Sequence, residues 1–473
     1  MTAYTTVAGV RRTGAPRRRV VAFAAIALAV GATACKDAAE PDLNNPSLEG
    51  VQTNPSRVTV TQMTRGVLEG YRQNSGFPLA FSIIGRDAYN LQSAEPRNTG
   101  ELLGTSPLDP GGFGAAFWGG QYRTVRTAEV LLASLESSTA VTDQEKETVR
   151  GIVNTIKALE LFTVWAAHDT AGMVIDVSGP PTETAPILCR DPAITAIATI
   201  LDEAQTQIAN GVASGFPFTA LPAGFANFNN RATFTTFNRA WKGKVDVYRR
   251  QYQSALTALS QSFVDTGGGS LSPAQARALL DRGPVHVFSA SPGDALSTLF
   301  AALTGTVRAH PSVLAGAETG PNGIDARYTA KVTTTTSASD QGVSSNLGFI
   351  VYPTNTSSLP IIRNEELILL RAQANHGLGN VDAASRDVNF VRVRSGNLAP
   401  KTHATLDDLL TDLLYNKRYS LLYETGSRWV DMRFHNRINQ LPLDLTTHRV
   451  HANYPVPANE WLARGGQSAC AAQ

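Results

Sequence analysis

The sequence predicts a mainly all-α protein built from short helix pairs, with a large irregular region carrying a few short strands. Three observations predict it. Between Pro360 and Phe434, Leu367, Leu370 and Ala374 fall at helical spacing, and Ala384, Val388 and Val391 do so again, giving two successive apolar stripes. The same periodicity runs through Trp118, Tyr122, Val125, Ala128 and Leu132, and through Ile152, Ile156, Leu159 and Phe162. Residues 265–358 lose that period and are rich in Gly, Ser, Thr and Pro, with Thr333 to Thr336 reading as a polar strand. Two short helices around the turn His376-Gly-Leu-Gly-Asn380 form the unit of a tetratricopeptide-like repeat, which needs neighbours to bury its face.

In chain order, residues 1–34 hold Arg11, Arg12, Arg17, Arg18 and Arg19 and no acid, and end in the apolar run Val20–Ala34. That run is short of the about 20 residues a bilayer span needs, and its basic flank and small-residue exit read as a secretory signal. Cleavage before Cys35 makes that cysteine a lipidation site, and several acyl chains anchor firmly at about 0.8 kcal/mol per buried methylene. The alternative is ordinary cleavage beside an incidental cysteine. Removing the five arginines takes the formal charge from +2 to −3, so the basic balance of the whole chain belongs to the signal and gives no case for nucleic-acid binding. The expected layout is a signal over 1–34, a lipidated tether over 35–57, and one domain over 58–473. Within it, 58–264 holds N-terminal helices, 265–358 a loop-rich insertion and 359–473 C-terminal helices.

Val58–Tyr71 reads as a helix and 76–114 as irregular, being rich in Gly, Pro, Asn and Asp. Trp118 and Tyr122 are read as core. Thr142 with Glu145 makes a capping box for a helix to about Ala166, and His168-Asp169 reads as the turn that ends it. Asp191-Pro192 opens a helix through Ile208, a Phe-rich loop spans 213–237, Arg239–Leu259 is a helix pair, and Glu460–Arg464 a last short helix. Asn380 is placed to cap its helix. Apart from Cys35 the cysteines are Cys189 and Cys470, an even pair that suggests a disulfide in an exported chain, free thiols being the alternative.

Catalytic signatures are missing from the sequence: no phosphate-binding loop, His-Glu-x-x-His, Gly-x-Ser-x-Gly or Cys-x-x-Cys occurs. His448-Arg-Val-His451 has no third metal ligand in the sequence nearby, and no cofactor is expected. Arg418, Glu424, Arg428, Asp431 and Arg433 interleave both signs of charge. A carboxylate beside arginine stays ionised, so the set reads as a structural ion-pair network fixing the last helix against the C-terminal segment.

The C-terminal segment resembles the signature of the SusD/RagB family of surface lipoproteins. The residues that carry the resemblance are Arg363, Glu366, Ala372-Gln373-Ala374, Asn389-Phe-Val-Arg392-Val-Arg394, Arg418, Glu424, Gly426, Arg428, Asp431, Arg433 and Tyr454-Pro-Val-Pro457. Gln373 stands where Glu is usual, and Thr425 is an extra residue before Gly426. The resemblance implies a non-catalytic nutrient-binding lipoprotein of the outer membrane, facing the exterior, that partners a TonB-dependent, SusC-like transporter. Its ligand would be an oligosaccharide or, alternatively, a peptide; a helical scaffold binding only envelope proteins is the competing class. Family ligand sites lie on early and middle loops without a fixed motif. Here those loops supply Asp87, Tyr89, Asn90, Arg97 and Phe113, then Arg327 and Tyr328, as candidate ligand contacts.

Overall fold

The computed structural model describes residues 53–466 and 470, apart from 181, 269 and 301–304. The expected signal, Cys35 and most of the tether lie outside the described residues. The elements are α1 (Arg57–Gln73), α2 (Phe77–Ile84), β1 (Ala88–Asn90), α3 (Arg97–Gly100), α4 (Gly119–Ser137), α5 (Asp143–His168), β2 (Met173–Val174), β3 (Ile187–Leu188), α6 (Arg190–Asn210), α7 (Arg231–Tyr248) and α8 (Tyr252–Ser260). There follow α9 (Pro273–Asp281), β4 (Val285–His286), β5 (Val307–Ala309), α10 (Pro311–Ala315), β6 (Thr319–Gly320), β7 (Gly323–Ile324), α11 (Ala326–Lys331), β8 (Val332–Asp340), β9 (Val343–Phe349) and β10 (Leu359–Pro360). The chain continues through α12 (Asn364–Gly377), α13 (Val381–Arg394), α14 (Leu406–Ser420), α15 (Ser427–Phe434) and α16 (Ala458–Ala463).

The fold is all-α in the main. Helices packed on their sequence neighbours run α4, α5, α6, α7 and α8, and α8 then packs on α12, which packs on α13 and α14. Local chemistry sets the ends. Ser56 Oγ accepts the Thr59 N–H at 3.1 Å and starts α1. Thr142 Oγ1 accepts the Glu145 N–H at 3.3 Å while the Glu145 carboxylate takes the Thr142 N–H at 2.9 Å, the reciprocal box that starts α5. Asn380 stands at the N-cap of α13 but its side chain makes no cap bond; it donates instead to Asn375 Oδ1 at 3.2 Å. Gly243 lets α7 and α8 close on each other: a methyl there would sit 2.6 Å from Leu259 Cγ.

Three stretches differ from the sequence reading. The segment 76–114 is not wholly irregular, because Phe77–Ile84 is a helix whose apolar residues are buried on several sides and so show no single stripe. The Phe-rich loop ends earlier than expected: Asn230 Oδ1 accepts the Thr233 N–H at 3.0 Å and starts α7 at Arg231, so Phe234 and Phe237 are helical core residues. The insertion 265–358 contains α9 and a hairpin, β8–β9, whose turn places Gln341 and Gly342 at φ 44° and 84°. The five sheets among the described residues have two strands each. They stitch the middle region to the helices: β1 pairs with β5, Tyr89 facing Arg308, and β4 pairs with β10.

α12 is the centre of the packing. Leu367, Leu370 and Ala374 face the main core, while Ile368, Leu369 and Ala372 face a second cluster with Ala384, Val388, Val391, Leu409 and Leu413. A helix apolar on both sides must be enclosed by others. No helix among the described residues is long and apolar enough to cross a membrane.

Candidate ligand-binding surface

Asp87 follows α2 directly, is 3% exposed, and through Oδ1 accepts Arg418 Nε at 2.8 Å and Arg428 Nη1 at 2.9 Å. Burial pushes its pKa up, against the pull of Arg418. Tyr89 and Asn90 lie in β1, all of whose residues are buried; the Tyr89 ring packs 4.8 Å from His310, and Asn90 Oδ1 accepts Thr306 Oγ1 at 2.9 Å. Arg327 spends its guanidinium on Asp325, Asn416 Oδ1 (2.9 Å) and Ser420 Oγ (3.1 Å), and Tyr328 is buried beside it. These five residues were candidate ligand contacts, and that reading is corrected. The turn-rich composition around them suggested exposure, but β1 is buried and paired edge to edge with β5, and α11 carries Arg327 onto α14. Arg97 and Phe113 are the two candidates left at the surface, and the structure brings them together. The Arg97 guanidinium lies 4.5 Å from the Phe113 ring centroid and forks onto Glu95 at 2.7 and 2.6 Å.

The charged C-terminal set also needs a correction. Its five members do not pair with one another; each reaches a different part of the chain. Arg418 and Arg428 take Asp87, Glu424 takes Arg363 (2.8 Å) and Lys331 (2.6 Å), Asp431 takes Lys417 (2.7 Å), and Arg433 lies 3.4 Å from Asp169. Gln373 Oε1 accepts Lys417 Nζ at 2.8 Å, so this lysine keeps one carboxylate partner, Asp431. Gly426, at φ 60°, turns the chain into α15, where a side chain would stand 2.4 Å from Phe81 Cβ. The segment is a clamp gathering the ends of α2, α5, α11 and the start of α12. Cys189, at the N-cap of α6, is bonded to Cys470.

Two solvent-open grooves flank the loop 109–116. That loop is self-braced: Asp109 Oδ1 accepts the Gly111 N–H at 2.9 Å and the Asp109 carbonyl accepts the N–H groups of Gly112 and Gly114 at 2.9 and 2.8 Å. The first groove, of about 400 Å³, is lined by Leu79, Ile83, Asn98, Leu102, Phe113 and Tyr454. The second, of about 450 Å³, is lined by Pro110, Ala171, Pro455, Val456, Trp461 and Leu462. Trp461 is 45% exposed, on a helix with no buried residue. Sequence reasoning placed that helix but missed its tryptophan; the available signal was an indole in a helix with no apolar stripe to bury it.

No family model matches the chain, and no curated protein matches it. Solved structures do. A SusD-like carbohydrate binding protein from Bacteroides fragilis NCTC 9343 aligns at TM-score 0.63 and 14% identity, covering 82% of this chain and 87% of its own. A laminarin binding SusD-like protein aligns at 0.61 and 16%, covering 86% and 98%. NanU of B. fragilis aligns at 0.62 and 15%, covering 87% and 96%. The chain has the SusD-like fold.

Proposed function

We propose that this protein captures a glycan at the paired grooves around loop 109–116, without altering it. The observation that carries the reading is the exposed indole of Trp461 beside this loop, with Phe113, one face covered by Arg97, lining the neighbouring groove. Sugar rings present apolar faces that stack on aromatic rings and a rim of hydroxyls that needs planar hydrogen-bonding groups. Asn98, Glu95 and Arg97 supply such groups beside the first groove. Two of the similar solved structures being described as carbohydrate or laminarin binding supports the same class of ligand. In this reading Cys35 carries the lipid that holds the protein on the outer membrane, facing outward, and a SusC-like TonB-dependent transporter receives the cargo.

The test is a binding panel of oligosaccharides and peptides against the wild type and a Phe113→Ala/Trp461→Ala variant. A glycan that binds the wild type and is lost in the variant supports the reading; glycan binding unchanged in the variant, or peptide binding alone, sinks it. For the anchor and partner, membrane fractions are compared for wild type and Cys35→Ala. Wild type should pellet with membranes and bring down a barrel transporter, and the variant should not pellet.

A further inference from the structure

We infer that a second pocket, between α14 and α15 and separate from the grooves, binds the carboxylate of an acidic saccharide. The pocket has a volume of about 240 Å³, and its polar wall is made by Thr411, Tyr415, Arg418, Arg428, Asp431 and Arg437. Three guanidinium groups thus converge on one small cavity, and their states differ. Arg418 spends four of its five donors, on Asp87, on the Ser312 carbonyl and hydroxyl at 3.2 and 2.8 Å, and on the Arg86 carbonyl. Arg437 donates to Thr411 Oγ1 at 2.9 Å and to Asp407, a carboxylate that is 81% exposed. Arg428 makes one hydrogen bond among the described residues, from Nη1 to Asp87, which leaves most of its fork of five donors unused.

The charge balance points the same way. One buried carboxylate, Asp87, serves both Arg418 and Arg428, and Asp431 is matched by Lys417, so the pocket carries an excess of positive charge. An unused arginine fork matches a carboxylate in two parallel hydrogen bonds. Asp431 turns inward from this wall: it is 1% exposed, and its Oδ1 takes Lys417 and the Tyr248 hydroxyl, which leaves the accessible polar lining to the arginines. Unused donors in a small cavity with an excess of positive charge call for a ligand carboxylate. A uronic acid carries that carboxylate on a sugar ring. The inference rests on the glycan reading for the kind of molecule that carries the carboxylate, and not for the carboxylate site itself.

The experiment is calorimetric titration of the full-length protein with glucuronate, glucose and acetate. The proteins compared are wild type, Arg428→Gln, Arg437→Gln and the Phe113→Ala/Trp461→Ala variant. Glucuronate should bind the wild type at least about tenfold more tightly than glucose or acetate, the scale of a charge-assisted pair. Arg428→Gln should lose at least about tenfold, Arg437→Gln a smaller factor, and the groove variant nothing. Arg437, on the more exposed wall, keeps the test alive if Arg428→Gln folds poorly. Glucuronate no tighter than glucose, or unchanged in both arginine variants, overturns the pocket. Acetate as tight as glucuronate overturns the saccharide as the carrier of the carboxylate. Glucuronate binding in the absence of any neutral glycan upholds the pocket and overturns the grooves, and the reverse pattern does the opposite.

Discussion

The clamp of α12, α14 and α15 and the loop–helix surface at 109–116 and α16 use similar residues to opposite ends. In the clamp, Arg363 is 4% exposed and divides its donors among Glu365, Glu424 and the Ser420 carbonyl. Nearby Arg86, fully buried, donates to five carbonyls, those of Ile83, Ile84, Leu103, Pro442 and Arg449; burial brings its pKa down to about 10. On the surface, the Arg97 side chain is 46% exposed, paired with one neighbour and laid on Phe113. The difference teaches where to look for a ligand. A charge whose bonds are all made holds the fold, whereas an aromatic face or a guanidinium with bonds to spare is what an outside molecule can meet.

The sharpest way to break the comparison is to remove one partner from the clamp. Burial opposes ionisation of Glu365, yet Arg363, Arg277 and Lys331 outweigh it and hold its pKa well below the usual carboxylate range. Arg363→Ala leaves Glu365 and Glu424 without their main counter-charge and should cost about 3–5 kcal/mol, read as a lowered urea midpoint. A Cys189→Ser/Cys470→Ser variant should lose about 2–4 kcal/mol by freeing the unfolded chain.

Glu160 sharpens the contrast from within the core. It is fully buried, takes Asn74 Nδ2 at 2.7 Å, and burial pushes its pKa up to about 8. Between its ordinary value near 4.5 and about 8 the folded state therefore holds a proton that the unfolded state has released. Stability from this group is full at low pH and declines as pH rises through that window. Urea midpoints measured from pH 5 to 8 should fall for the wild type and fall less for Glu160→Gln. The smallest expected effect on folding is at the surface: Trp461→Ala should change stability by less than about 0.5 kcal/mol while weakening glycan binding by about tenfold.

The stripes of α12 and α13 were legible because one face of each repeats at helical spacing. The second face of α12, through Ile368, Leu369 and Ala372, was not, since a helix enclosed on both sides shows no polar side to contrast with. Charge type in the C-terminal set was legible and partners were not. The pairing of Arg428 with Asp87 spans 341 positions, and only the packing of α2 on α15 creates it. Asp87, Tyr89 and Asn90 misled for a related reason: they are buried alongside a segment contributed from beyond position 300, which pairs with β1 and donates the His310 N–H to the Asp87 carbonyl. Arg97 and Phe113 stayed outside because their contacts are local.

The Tyr454 N–H donates to the Ala167 carbonyl at 2.8 Å, the Ala458 N–H to the Pro110 carbonyl at 2.9 Å and Arg464 to the Ala185 carbonyl, and Cys470 is bonded to Cys189, so α16 has several moorings. One of them is redox-labile. A thiol reductant should slacken the Trp461 wall while leaving helix content intact, so affinity measured with and without dithiothreitol should differ at constant circular dichroism. The indole platform has its full set of restraints in oxidising surroundings.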